Sequence, residues 1–260
     1  MEKPPVKLVR VGAIAHVVLA RPEVRNALDV ASIAALQHAF EDLAADTSVR
    51  AIVLSGEGNA FCAGADIAWM RASLELDRAA NLAEARALSR MYRTIDRIAK
   101  PTIAKIHGAA LGGGAGLAAV CDIVIAANDT IFGFTETKLG LIPAVISPFV
   151  LAKIGRSHAR ALALTGERFD ANRARAIGLV HEAVLPEQLE STVARVCHEI
   201  RSASPAAIAA AKALFAALET TPYDDSLELT AEAIAVQRTS AEGQEGLHAF
   251  LERRPSAWSR

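Results

Sequence analysis

The apolar positions along the chain follow two regimes that change near residue 143. Before it they cluster in short β-rich runs between glycine turns, and after it they recur at helical spacing. Residues 6–10 and 14–19 are two such runs around Gly12, the pattern of a hairpin. Asp29 or Ser32 can cap a helix reaching about residue 44, with Ile33, Leu36, Phe40 and Leu43 on one face. Residues 49–55 read as a buried strand. A turn at 56–59 then leads through Phe61-Cys62-Ala63-Gly64-Ala65-Asp66-Ile67 into a second helix start. Residues 77–99 predict a long amphipathic helix with Leu88, Met91, Tyr92, Ile95 and Ile98 inward, ended by Pro101. A strand at 102–106, a glycine loop, a helix over 115–120 and strands at 123–126 and 130–132 follow. A strand-strand-helix unit thus recurs near the N-terminus, at 49–99 and at 102–126. The copies share little sequence, so the repeat is architectural.

Beyond residue 143 the spacing predicts helices at 146–154, 158–164, 170–177, 187–202, 205–218, 224–239 and 241–251, with one strand at 179–184. The late helices are alanine-rich with narrow apolar faces, which suits packing on a neighbouring subunit. The expected fold is α/β, with a core over 1–200 and a C-terminal helical region over 201–260.

Composition narrows the function. Of 260 residues 52% are hydrophobic but only 5% aromatic, so the apolar mass is small and aliphatic, suited to close helix and strand packing. A net charge of −1 gives no electrostatic case for nucleic acid or a membrane surface. Cys62, Cys121 and Cys197 form no CxxC pair, which fits buried free thiols in a reducing compartment. The first residues are polar with no apolar signal core, and no stretch approaches the ~20 apolar residues of a membrane helix. The expectation is a soluble cytoplasmic protein.

The candidate chemistry lies between His107 and Pro143. Glycines at 108, 112, 113, 114 and 116 allow close backbone approach and leave free N–H groups at a helix start, a site for developing negative charge. Glu136 follows about two elements later as a general acid/base. The run does not complete G-x-G-x-x-G, because Leu117 stands at the last glycine position, which argues against NAD. His107 ends a buried strand and reads as a hydrogen-bonded core histidine. His158, His181 and His198 lack metal-ligand spacing, so no metal is expected. Asp66, after a glycine turn, reads as a helix cap close to a ligand. No nucleophile-elbow motif accompanies a serine.

Four ordered motifs together resemble the crotonase (enoyl-CoA hydratase/isomerase) superfamily. They are Arg21-Pro22…Asn26-Ala27-Leu28, Phe61-Cys62-Ala63-Gly64-Ala65-Asp66, His107-Gly108…Gly112-Gly113-Gly114, and Phe132-Gly133…Glu136…Gly140-Leu141-Ile142-Pro143. The segment from Glu136 to Val150 is most similar to the methylglutaconyl-CoA and isohexenylglutaconyl-CoA hydratase branch. The resemblance implies a crotonase spiral of ββα units, a C-terminal helical trimerisation region, and a homotrimer or dimer of trimers. It implies an acyl-CoA substrate, with coenzyme A carried by the substrate and no other cofactor. The thioester oxygen would sit between the N–H groups of Ala65 and Gly113, where losing one donor costs ~10²–10³ in rate. Glu136 would be the catalytic acid/base. Val24, Arg25, Ala63, Asp66 and Ile67 would lie along the coenzyme A, Gly116, Pro143 and Ala144 at the acyl group, and Arg253 would reach a phosphate from a neighbouring subunit. Lys138 and Ser147 are candidates to hold a distal substrate carboxylate.

One departure stands out. Family hydratases commonly carry a second glutamate 20 residues before the first, and this chain has Gly116 there. Hydration therefore needs Glu136 to serve both proton transfers. A Δ3–Δ2 enoyl-CoA isomerase, in which one carboxylate removes and returns a proton, is the alternative. A weakly active member that binds acyl-CoA or RNA is a third, although no basic patch with aromatic platforms supports RNA.

Overall fold

The computed structural model describes residues 3–259. Strands β1 (Val6–Val11) and β2 (Ile14–Leu19) form the expected hairpin, followed by α1 (Val30–Ala45), capped by the Asp29 carboxylate, which accepts from the Ser32 N–H at 2.7 Å. Next come β3 (Ala51–Gly56), α2 (Ile67–Ser73), α3 (Arg78–Arg97), β4 (Thr102–Ile106), β5 (Ala109–Leu111), α4 (Gly113–Val120), β6 (Ile123–Ala127) and β7 (Ile131–Gly133). After a 3₁₀ turn at Glu136–Leu139 lie α5 (Ser147–Thr165), β8 (Arg168–Asp170), α6 (Ala171–Ala176), β9 (Glu182–Val184), α7 (Leu189–Ser202), α8 (Pro205–Leu218), α9 (Tyr223–Thr239) and α10 (Ala241–Leu251).

The strands build two sheets. The larger runs β1-β2-β3-β4-β6-β9, antiparallel only between β1 and β2. The smaller runs β5-β7-β8, and an isolated bridge from Cys62 to Ala110 extends it toward the second glycine turn. The repeat expected from sequence thus has a physical meaning. In the units ending in α3 and α4, one strand joins the large sheet and the next extended piece, Cys62 or β5, turns off into the small one.

Over the inner strands β2, β3, β4 and β6 both faces of the large sheet are covered, which is why these read as nearly continuous apolar runs, while the edge strand β1 is exposed. On one face Val17, Leu19, Ile52, Leu54, Ala104 and Val124 pack with α1, α3, α4 and α5. On the other, Ala51, Val53, Ile103 and Ile125 meet Leu189, Val193, Val196 and Cys197 of α7. Met91, Tyr92, Ile95 and Ile98 are buried as expected, and Leu88 is half-buried against the same core.

Two expectations need correction. Residues 109–111 form a strand rather than part of the glycine turn, because pairing with β7 satisfies their backbone. The helices expected at 146–154 and 158–164 do form, as the two halves of α5 on either side of the non-helical Gly155, whose φ of +71° is open to glycine without strain. Leu179 and Val180 are buried but precede β9 rather than belonging to it. The late helices α8, α9 and α10 match their expected spans to within a residue and pack on one another. They leave Phe215, Tyr223, Phe250 and Leu251 well exposed. No helix of the described residues is long and apolar enough to cross a membrane.

Candidate active site

Two backbone bridges set the site. Leu28 donates to the Gly64 carbonyl at 2.7 Å and accepts from the Asp66 N–H at 2.8 Å, so residues 64–66 are clamped while the Ala65 N–H is turned to the other side. Cys62 donates to Ala109, and Leu111 donates to Cys62, both at 3.0 Å, which ties the same turn to β5. Immediately after β5, Gly112 adopts φ +49° and ψ −116° and starts α4. Gly113 is the first residue of that helix, so its N–H has no intrahelical acceptor. Among the described residues neither the Ala65 N–H nor the Gly113 N–H has a hydrogen-bond acceptor.

Both donors line one cavity of about 280 Å³, together with Glu136, Leu28, Trp69, Met70, Pro143, Ala144 and Ile146. Glu136 opens the 3₁₀ turn beyond β7 and overhangs the start of α4. A Cβ on Gly112 would stand 3.2 Å from its Oε1, so only glycine leaves the carboxyl this position without crowding. Its Oε2 is buried with no hydrogen-bond partner among the described residues. Burial pushes the Glu136 carboxyl above the usual glutamate range, its own backbone N–H opposing the rise. An orphaned carboxyl oxygen beside two orphaned N–H groups is an arrangement that can pass a proton while anionic charge builds on a bound carbonyl.

A second cavity of about 560 Å³ meets the first at Ala65. Val24, Arg25, Ala63, Asp66, Ile67 and Arg71 line it. Arg25 and the buried Asn26 both have positive φ, and the Asn26 side chain holds the turn by donating to the Glu57 and Ala60 carbonyls, each at 2.8 Å. Asp66 caps α2 through Ala68 at 2.7 Å and pairs with Arg21 at 2.9 Å. Burial alone would raise its pKa, but the Ala68 N–H and Arg21 outweigh it and the carboxylate stays charged. The capping role expected for Asp66 is what the structure shows.

The structure therefore brings Glu136, Ala65, Gly113, Pro143 and Ala144 into one cavity, and Val24, Arg25, Ala63, Asp66 and Ile67 into its neighbour. Gly116 lies outside the lining. A Cβ there would stand 2.3 Å from Ile146 Cγ2, so the Ile146 side chain occupies the ground a larger residue would need. Arg253 is exposed just past α10 with φ +54° and lines neither cavity of this chain. Lys138 and Ser147 are corrections. Lys138 is exposed and lays its stem toward Gly166, while the Ser147 hydroxyl donates to the Pro143 carbonyl at 2.6 Å and faces a different cavity. Neither lines the cavity that holds Glu136. His107 bonds the Gly58 carbonyl at 2.9 Å and stays outside both cavities; it is hydrogen-bonded as expected but partly exposed rather than in the core.

Sequence reasoning missed several residues. Trp69, Met70, Ser73, Asn81 and Glu84 form the outer wall, with Trp69 Nε1 donating to Glu84 at 2.7 Å. Tyr92 was read only as core, yet its hydroxyl donates to the Gly113 carbonyl at 2.7 Å and so fixes the first turn of α4. A lone hydroxyl on the apolar face of α3 was the available signal, since a buried tyrosine normally needs a partner. Among the described residues no group of three or more His, Cys, Asp or Glu is placed to hold a metal ion. The three thiols are free and buried, and burial drives those of Cys62 and Cys121 up to about 12.

Comparison with known proteins agrees with this geometry. Residues 10–260 match the family model described as enoyl-CoA hydratase/isomerase. The short-chain-enoyl-CoA hydratase of Clostridium acetobutylicum is 30% identical over 260 residues, covering 98% of this chain and 97% of that protein. The crotonyl-CoA hydratase of Syntrophomonas wolfei is 32% identical over 238 residues, 90% of each chain. Among solved structures, an enoyl-CoA hydratase from Shewanella pealeana superposes with a TM-score of 0.94 at 37% identity, over 98% of this chain and 96% of that one.

Proposed function

The chain belongs to the enoyl-CoA hydratase/isomerase family, and on that premise we propose that it hydrates an α,β-unsaturated acyl-CoA with Glu136 as its single acid/base. The observation that carries this reading is the buried, unpartnered Glu136 carboxyl in one cavity with the free N–H groups of Ala65 and Gly113. The thioester carbonyl lies between the two donors. Ionised Glu136 takes a proton from water as the oxygen adds to Cβ, and the electron pair moves onto the thioester oxygen as an enolate. Glu136 then returns its proton to Cα, so the product has gained one water. The two backbone donors stabilise charge only as it develops, which is where such contacts accelerate a reaction.

The coenzyme A runs through the second cavity past Val24, Arg25, Ala63, Asp66 and Ile67, and no further cofactor takes part. Arg253 acts from a neighbouring subunit of a homotrimer or dimer of trimers, whose contacts use the exposed apolar faces of α8–α10 and a helical region starting near residue 201. A substrate of the methylglutaconyl type would need a cation for its distal carboxylate. Among the described residues no Lys or Arg lines the acyl cavity, and Glu84 does. That favours an uncharged acyl chain, since an unpaired buried carboxylate is costly.

The Δ3–Δ2 isomerase is the second reading, and the filled space at Gly116 favours it, because one carboxylate suffices to remove and return a proton. Turnover on crotonyl-CoA, methylglutaconyl-CoA and a 3-enoyl-CoA separates the possibilities. Hydration of crotonyl-CoA supports the first reading, and reaction of the 3-enoyl compound alone supports the second. Preference for methylglutaconyl-CoA would restore the branched substrate. Glu136→Gln should lower turnover at least about a hundredfold in either case. A tenfold or smaller loss, or no reaction with any of the three, contradicts the assignment.

A further inference from the structure

Behind the acyl cavity lies a smaller one of about 170 Å³, lined by Phe134, Pro143, Ile146, Val150, Ala159 and Ala163, with Ser147, Leu151 and Arg160 at its rim. Only Pro143 and Ile146 line both cavities. Pro143 is pinned, its carbonyl accepting from the Ser147 N–H at 3.0 Å and from the Ser147 hydroxyl at 2.6 Å. Ile146 is only 3% exposed, and its Cγ2 and Cβ lie 2.3 and 3.1 Å from where a Cβ on Gly116 would stand. Gly116 is one helical turn beyond Gly113 on α4. The side chain of Ile146 is therefore wedged against the oxyanion helix, with acyl space on one side and an empty aliphatic pocket on the other.

We infer that Ile146 is a specificity-determining residue, the end wall that limits acyl-chain length, and that the pocket behind it is a latent subsite for the distal methylenes of a longer unbranched chain. The missing Cβ of Gly116 is what lets the wall stand where it does. The chemistry of the inner pocket fixes the ligand class. Its interior is hydrocarbon and its one hydroxyl is already bonded to Pro143, so the buried part of a tail must be apolar, and the one charge near it is Arg160 at the rim. This inference rests on the acyl-CoA reading above.

Ile146→Ala should join the two cavities and move the preference toward longer chains, by about fourfold for each further methylene buried. Ile146→Val, a smaller deletion that keeps the fold secure, should shift it the same way by less. Two measurements keep the wall distinct from the chemistry. Binding of butyryl-, hexanoyl- and octanoyl-CoA, which are saturated and cannot react, reads the wall alone. Turnover of crotonyl-, hexenoyl- and octenoyl-CoA reads the activity as well. A rise of at least tenfold in the octanoyl-to-butyryl affinity ratio for Ile146→Ala, with a graded rise for Ile146→Val, is the expected result. Parallel loss of affinity at every chain length would reduce Ile146 to a packing residue and overturn the inference. So would a ratio that ignores Ile146 but responds to Met70→Ala, since the chain would then run along α2. If the saturated thioesters bind as expected and none of the enoyl compounds react, the wall stands and the hydratase reading fails.

Discussion

At the scale of single residues, the site is governed by groups left without partners. Burial holds the pKa of the Glu136 carboxyl above the ordinary glutamate value, because it penalises the charged form. Its contribution to stability is therefore present below the ordinary glutamate value and declines as pH rises through the raised folded value. Glu136→Gln, which abolishes the charge, should unfold at a temperature equal to or above wild type at pH 8, with the advantage shrinking toward pH 4. Melting curves across that range check it, and a variant less stable at pH 8 than at pH 4 relative to wild type would contradict it. The same raised value should place the acid limb of kcat/KM above pH 4.5, since both proposed reactions start from the carboxylate. Restoring a second carboxylate is a separate matter. Gly116→Glu would drive its Cβ into Ile146, so it should destabilise the protein by roughly 1–3 kcal/mol rather than add an acid. A denaturant titration measures that directly.

At the scale of elements, the proposed chemistry depends on the positioning of one short helix. α4 begins at Gly112, whose φ and whose clearance from Glu136 both demand glycine. Tyr92, from the middle of α3, holds the Gly113 carbonyl. Tyr92→Phe keeps the ring packing against Phe149 but removes the hydroxyl that donates to the Gly113 carbonyl. The expected cost is about 0.5–1.5 kcal/mol of stability. The expected kinetic effect is a fall in kcat with little change in KM, because the donor it steadies works hardest in the transition state. A pure KM effect in steady-state kinetics would show that Tyr92 only shapes the ground-state cavity.

At the scale of the whole molecule, the inner strands of the large sheet are covered on both faces, and the C-terminal helices carry several of the most exposed apolar side chains. Phe250 and Leu251 are 81% and 75% exposed, and Phe215 is 68% exposed on α8. Large apolar side chains left open together mark an interface. Replacing Phe250 and Leu251 with Asp should lower the assembly state, read by sedimentation velocity, and should weaken acyl-CoA binding if Arg253 acts across the interface. Unchanged sedimentation would remove these residues from the assembly contacts.

The local patterns carried much of this. Spacing and capping alone located α1, α3, α8, α9 and α10, because Asp29, Asp77, Ser204 and Ser240 are strong N-caps and the apolar faces repeat at helical period. Glycine position, one carboxylate and the ordered motifs pointed to Glu136, Ala65 and Gly113, which the structure brings into one cavity. What the sequence could not disclose depended on elements distant along the chain. Residues 109–111 look like part of a turn until β7 pairs with them. Lys138 and Ser147 fall in the right segment for a polar pocket, but the 3₁₀ turn carries one outward and Pro143 engages the other. The meaning of Gly116 was decided by Ile146, 30 residues later, whose side chain fills the place a larger residue would take. Local sequence determines which conformations and chemistries are available to a segment. Only tertiary packing decides which volumes are occupied, and here it puts Ile146 where a side chain at position 116 would have to stand.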